Sequence, residues 1–294
     1  MANQQEVLNR FAAIKMWKSG GERAPHKPLL ILYMLGRAYR QEPRLVSYSG
    51  VMEPLQKLLN DYGPPRQTTP AYPFFHLSSD GVWEIRGLPE FVGKAKSPSS
   101  RYLVDHQALG GFTEDVYGML QENPLLIKSI AGLLLNDNFP PSLHEDILQA
   151  VGLDVDVRVK VRRDSKFRER ILVAYSFRCA VCDFSVWLGR VPVALEAAHI
   201  KWHQAGGPDE ENNGLLLCTM HHKLFDRGVF SIDDSFRICV SDLAHGNEGF
   251  DQWLARYHGK SIRNPDRHQY RPKDDYLAWH VREVFRGISK YSTG

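Results

Sequence analysis

Only four cysteines occur in the 294 residues, a usage that fits a reducing compartment rather than a disulfide-stapled secreted domain. No apolar run approaches the ~18 residues of a membrane span, and no positively charged leader precedes an apolar core. The expectation is a cytoplasmic protein with no membrane partner. Internal repeats and low-complexity tracts are also missing, which leaves ordinary globular domains, and the length allows two of them with cores of their own. Net charge is only +3, so the total says little about nucleic acid. Its distribution says more: Arg158 to Arg170 is strongly basic and suits either a phosphate backbone or a solvated helix face and linker.

Three of the cysteines are spoken for by spacing. Cys179 and Cys182 form C-x2-C, and Cys218 and His221 repeat that spacing beyond an insert. Four soft N/S donors in two tight pairs are what a tetrahedral structural zinc requires. Cys239, in a strand-like run, reads as a core residue.

Inside the same stretch stand His199 in Leu195-Glu196-Ala197-Ala198-His199-Ile200, Asn213 before Gly214-Leu215-Leu216-Leu217, and His222 directly after the last zinc donor. This series, over roughly 165–240, resembles the HNH endonucleases. The resemblance implies a ββα-metal fold with the first His and the Asn on a β-hairpin and the last His on the following helix. It further implies hydrolysis of DNA phosphodiesters with a divalent cation, Mg2+ or Mn2+. Imidazole suits the general base, being neutral near pH 7 and able to take a proton from water; His199 matches that position. His222 matches the family's metal ligand, and Asn213 would pin the hairpin through hydrogen bonds to backbone. Many HNH enzymes carry an Asp or His just before the base, as a second metal ligand, and here that position is Ala198. Glu196 or Asp226 would then supply the oxygen ligand. Asp226 lies four residues after His222, on the same helical face, and equally suits closing the helix into the Arg227-Gly228 turn; Glu196 equally suits a structural ion pair.

Upstream, apolar spacing predicts a helix from Gln4 to Trp17. Pro28 is expected to open a buried helix through Gly36. Ser49 is expected to cap a third helix to Leu59, Asn123-Pro124 another to Leu135, and Ser142 one ending near Gly152. Two strand-like runs, Phe74–Leu77 and Val82–Ile85, joined by Ser78-Ser79-Asp80-Gly81, read as a short hairpin. A last helix is expected from Asp274 to Arg286, packing the aromatic tail.

Arg23-Ala24-Pro25-His26-Lys27-Pro28 and Ala71-Tyr72-Pro73-Phe74-Phe75-His76 resemble, over most of residues 5–150, the sulfur-binding domain of type IV modification-dependent HNH restriction endonucleases, which recognise phosphorothioated DNA. The order of domains agrees. Sulfur is larger and softer than the oxygen it replaces and a poorer hydrogen-bond acceptor, so a site choosing it should offer an apolar dent of ring faces rimmed by cations. Tyr72 and Pro73 are expected to form the dent, and His26 and Lys27 to hold the phosphate at a helix N-terminus. Arg23, His76 and Arg101 are expected at neighbouring phosphates or base edges.

The expectation is therefore an α+β protein: residues 1–153 a mostly helical DNA-reading domain with a short β-hairpin, 154–164 a basic linker, and 165–294 a zinc-stapled ββα-metal nuclease. Its partner is phosphorothioated double-stranded DNA. Because each centre cuts one strand, a homodimer is expected. A front domain that reads a modified base, or a non-catalytic zinc-stapled DNA-binding protein, remains open.

Overall fold

The computed structural model describes residues 3–16, 22–89, 97–155 and 165–288. The basic run Arg158–Arg163 and most of the expected linker lie outside the described residues. Two compact units are present, Met1–Lys160 and Val161–Gly294. No helix among the described residues is long and apolar enough to cross a membrane.

The first unit is built around α2 (His26–Tyr39), whose Leu29, Leu30, Ile31, Leu32 and Leu35 are fully buried, as its nearly all-round apolar sequence requires. It packs against α3 (Tyr48–Tyr62) and α7 (Pro124–Asn138), with α1 (Gln4–Ala12) also on α7. Helix α2 starts at His26, earlier than Pro28: proline in a first turn forfeits no intrahelical bond. Likewise Ser47, not Ser49, caps α3, accepting from the Gly50 amide. Asn123 caps α7 as expected, through the Leu125 amide.

The expected hairpin at 74–85 is replaced by a different arrangement. Ala71–His76 is a helix, α4, which continues as a 3-10 turn over Leu77–Asp80. Pro73 sits in its first turn, where its fixed φ favours a helix and its missing N–H costs nothing. The aromatic enrichment that suggested a strand serves packing: Phe74 is fully buried against Tyr48 and Trp83. Only the second run is extended, as β2 (Trp83–Arg86). It joins β1 (Leu45–Ser47) and β3 (Leu109–Phe112) in an antiparallel sheet with β3 central. Gly110 of β3 is where α4 closes on the sheet, since a Cβ there would lie 2.6 Å from both Phe74 and Trp83. Between α3 and α7 lie α5 (Ser100–Asp105) and α6 (Glu114–Glu122); α8 (His144–Ala150) follows α7.

The second unit opens with α9 (Ser165–Ala174) and a two-stranded hairpin, β4 (Val186–Leu188) and β5 (Val191–Val193). Then β6 (Leu195–His199) pairs antiparallel with β7 (Gly214–Cys218), His199 opposite Gly214 and Leu195 opposite Cys218, and α10 (Thr219–Asp226) follows directly. This is a ββα unit. Its core joins Phe167 and Ile171 of α9 to Ala198, Leu215, Leu216, Leu217 and Phe225. A hairpin, β8 (Phe230–Ile232) with β9 (Ile238–Val240), a short helix α11 (Glu248–Trp253) and α12 (Asp274–Glu283) complete it. Helix α12 ends three residues before the expected Arg286. On β9, Ile238 and Val240 face the core and Cys239 is half-buried, because alternate strand residues point to opposite faces.

Candidate metal-binding and DNA-reading sites

Cys179, Cys182, Cys218 and His221 come together, their donor atoms all within 4.8 Å of one another. Cys218 Sγ lies 3.1 Å from His221 Nδ1, Cys179 Sγ 3.7 Å from the same nitrogen, and Cys182 Sγ 4.0 Å from Cys218 Sγ. Sulfurs 4.0 Å apart share no disulfide, and four N/S donors this close could hold a metal ion tetrahedrally. His221 Nε2 donates to the Trp253 carbonyl at 2.8 Å, which turns Nδ1 toward the thiols. Hydrogen bonds from Cys182 and Cys218 drive Cys179 toward thiolate, and the same contacts hold the Cys182 thiol protonated. A cation that displaces thiol protons would bind such a cluster as thiolates.

Beside this cluster on α10, His222 is gripped from both sides. Its Nδ1 donates to Glu196 Oε2 on β6 at 2.6 Å and its Nε2 to Asp226 Oδ2 at 3.1 Å. Burial opposes charge on the ring, but the Asp226 carboxylate, then Glu196, outweigh it and raise the pKa to about 9. The two carboxylates sit on opposite edges of the ring, so a cation taking one nitrogen would replace one of these hydrogen bonds and keep one carboxylate beside it; among the described residues only the Cys/His cluster gathers three or more donor atoms at one point. Ala198, in contrast, is fully buried in the hydrophobic core.

His199 ends β6 with its ring stacked on Phe167, centroids 4.3 Å apart. Its Nε2 donates to Asp209 Oδ1 at 2.7 Å, leaving Nδ1 as the basic nitrogen of that tautomer. Asp209 escaped sequence reasoning: it sits in an acidic loop with no spacing signal. Arg170 holds that loop, donating to the Asp209 carbonyl at 2.6 Å and pairing with Glu211 at 3.1 Å. Arg168 donates to the Leu195 carbonyl. These two members of the basic run thus make contacts within the second unit. Asn213 is fully buried; its Oδ1 accepts from the Lys201 amide at 2.8 Å, and its Nδ2 donates to the Lys201 and Pro208 carbonyls at 3.0 and 2.9 Å. It ties both ends of the loop that follows His199.

In the first unit a pocket of about 90 Å³ is lined by Lys15, Met16, Ala24, His26, Lys27, Tyr72, His76 and Ser79. Helices α2 and α4 bring the two motifs there. The Tyr72 ring lies 4.4 Å from that of His76 and 6.3 Å from that of His26. His26 Nε2 and His76 Nε2 are buried with no hydrogen-bond partner among the described residues. Burial, with Arg66 and Arg23 nearby, pushes His26 down to about 4. Burial and then Lys27 lower His76, against Asp80.

Not every expected residue joins them. Lys27 is buried, with its ammonium 2.5 Å from Asp80 and donating to the Lys15 carbonyl, so its charge is compensated within the fold. Arg23 is buried and donates to the Tyr62 carbonyl. Pro73 is buried in α4 and outside the pocket lining. Arg101 is 91% exposed on α5, beside Asp105.

Among solved structures, the sulfur binding domain of ScoMcrA complexed with phosphorothioated DNA is 24% identical, with a TM-score of 0.44, covering 50% of this chain and 94% of that one. The corresponding SprMcrA domain is 23% identical, TM-score 0.46, covering 52% and 95%. The type IV phosphorothioation-dependent restriction endonuclease ScoMcrA is 22% identical, TM-score 0.40, covering 53% of this chain and 30% of its own. No curated protein matches. The model of the HNH endonuclease family matches residues 179–233, which contain both the Cys/His cluster and the His199–Asn213–His222 series. The model of the ScoMcrA-like DNA sulfur-binding domain matches residues 4–156, more than half of the chain, and the protein therefore belongs to the family defined by that domain, with an HNH endonuclease domain behind it.

Proposed function

We propose that this protein is a restriction endonuclease that recognises phosphorothioated double-stranded DNA and hydrolyses phosphodiesters nearby. The observation that carries the recognition half is the small pocket walled by three rings, His26, Tyr72 and His76, with the neighbouring Lys27 already neutralised by Asp80. A phosphate oxygen entering such walls loses hydration that the pocket barely replaces, whereas sulfur has less to lose. Tyr72→Ala is expected to weaken binding to a phosphorothioated duplex by about tenfold or more, and to a bare duplex much less. A gel-shift comparison of phosphorothioated, methylated and bare duplexes tests the reading; equal losses on all three, or a preference for the methylated one, would sink it.

For the hydrolytic half, Cys179, Cys182, Cys218 and His221 would hold a structural zinc, which would tie β7 and α10 to the knuckle at 179–182. His199 would take the proton of the attacking water at Nδ1. Asp209 holds the ring in that tautomer and stabilises the imidazolium that forms. Asn213 keeps the following loop closed beneath it. His222, with Glu196 or Asp226, would hold Mg2+ or Mn2+, which would supply Lewis-acid stabilisation of charge growing on the phosphate and the departing 3′ oxygen.

Cutting both strands calls for a second copy of the chain, and the β4–β5 hairpin supports one. Val186, Leu188, Val191 and Val193 share one of its faces and are 41–77% exposed. Arg190 is the one charged residue in 186–193, too little cation for a phosphate backbone. Leu188→Lys with Val191→Lys is expected to slow double-strand cleavage several-fold more than nicking. An unchanged ratio of linear to nicked plasmid would count against this surface.

A further inference from the structure

We propose that His76 is a specificity-determining residue of the pocket: its neutral ring favours backbone sulfur over backbone oxygen, and its protonated ring accepts either. This rests on the sulfur reading of the pocket and adds what sets the selectivity.

Two buried imidazole nitrogens without partners among the described residues are costly unless something in the working complex uses them. Both, His26 Nε2 and His76 Nε2, belong to the pocket wall, with the Tyr72 ring 4.4 Å from the His76 ring. An occupant bearing negative charge would draw the Nε2–H tautomer of each. A neutral N–H offers sulfur a weak, tolerant hydrogen bond within a polarisable wall. It offers oxygen too little to offset that atom's lost hydration, so sulfur is preferred. An imidazolium instead gives a short charge-assisted bond, which favours the harder oxygen most and erodes the preference.

The surrounding charges single out His76 as the group that changes. Lys27, from α2, and Asp80, from the 3-10 turn, face it as an ion pair 2.5 Å apart, and Asp80 also accepts from the Lys15 amide. Tyr72 and Phe75, on its own helix, present rings. His26, on α2, faces Arg23 and Arg66, which oppose a proton there. Lys15 is the other cation of the lining among the described residues. Burial and Lys27 oppose a proton on His76 and Asp80 favours one; an anionic occupant adds to the Asp80 side, so protonation of His76 with the anion bound is the charge change assigned to this pocket.

The test is equilibrium binding, by fluorescence anisotropy at constant salt, of the full chain to one duplex with and without a single phosphorothioate, between pH 8 and pH 5. Wild type, His76→Gln and His76→Ala are compared, with folding checked by circular dichroism. For wild type, the sulfur-to-oxygen affinity ratio should fall about five- to tenfold as pH drops, mainly through a gain by the unmodified duplex. In His76→Gln the ratio should stay flat, because the amide cannot gain a proton. A wild-type preference that does not change with pH, or an equal slope in His76→Gln, would overturn the role of His76 while leaving the sulfur pocket standing. No preference for the modified duplex at any pH would remove the pocket reading, and His76 with it.

Discussion

His199→Ala is expected to lower cleavage of phosphorothioated plasmid by roughly 10²–10⁴-fold, the range typical for loss of a positioned general base, with DNA binding unchanged. The expectation follows from where the ring is held. His199 ends β6, is stacked on Phe167, and donates through Nε2 to Asp209 at 2.7 Å. That contact fixes which nitrogen is basic and stabilises the ring once it carries a proton. Asp209→Asn should also lower cleavage, by up to about 10⁴-fold, because a carboxamide can donate to Nε2 and so fix the wrong tautomer, and it cannot stabilise an imidazolium. Single-turnover cleavage with Mg2+ or Mn2+, beside a gel shift on the same preparations, separates chemistry from binding. Retained cutting by His199→Ala would refute the assignment of the base; equal losses from both substitutions would make Asp209 as necessary as the ring.

Replacing Cys218 by Ser is expected to have the largest effect on stability. Cys218 ends β7 and is the N-cap residue of α10, so it is the corner of the ββα unit. Its sulfur lies 3.1 Å from His221 Nδ1 and 4.0 Å from Cys182 Sγ. Metal binding at such sites is folding energy, with apparent values of about 10–16 kcal/mol in small zinc peptides. Losing one ligand of four should remove enough of it to abolish the melting transition of the nuclease unit, or lower it steeply. A chelator should act on wild type in the same direction. The first unit has a hydrophobic core of its own, and its transition and binding to phosphorothioated DNA should persist. Cys239→Ser, half-buried on β9, serves as the control and should cost about 1 kcal/mol or less. Unchanged melting in Cys218→Ser, with no metal found by elemental analysis, would sink the staple.

Sequence reasoning succeeded where the chemistry is encoded at short range. Two x2 spacings bring four donors to one point because a knuckle is a local turn. The run from His199 through Asn213 to His222 needed only a hairpin and one helix to become a ββα unit. It failed at α4, where aromatic richness suggested a strand, and Pro73 in a first turn together with Phe74 seated over Gly110 produced a helix instead. The helical reading is what puts Tyr72 and His76, four residues apart, on one wall of the pocket.

Spacing and residue type were thus enough to bring the four Cys/His donors together, to order the His199–Asn213–His222 series along the ββα unit and to mark the two motifs at the pocket. Which charges are spent inside the fold was legible nowhere in the chain. Lys27 finds Asp80 at a separation of 53 residues, Arg170 holds the Asp209 loop 39 residues away, and Arg23 reaches the Tyr62 carbonyl across another 39. A buried charge must be paired or hydrogen-bonded. Its partner is whatever group the packing of helices and strands delivers, and sequence spacing carries no record of that.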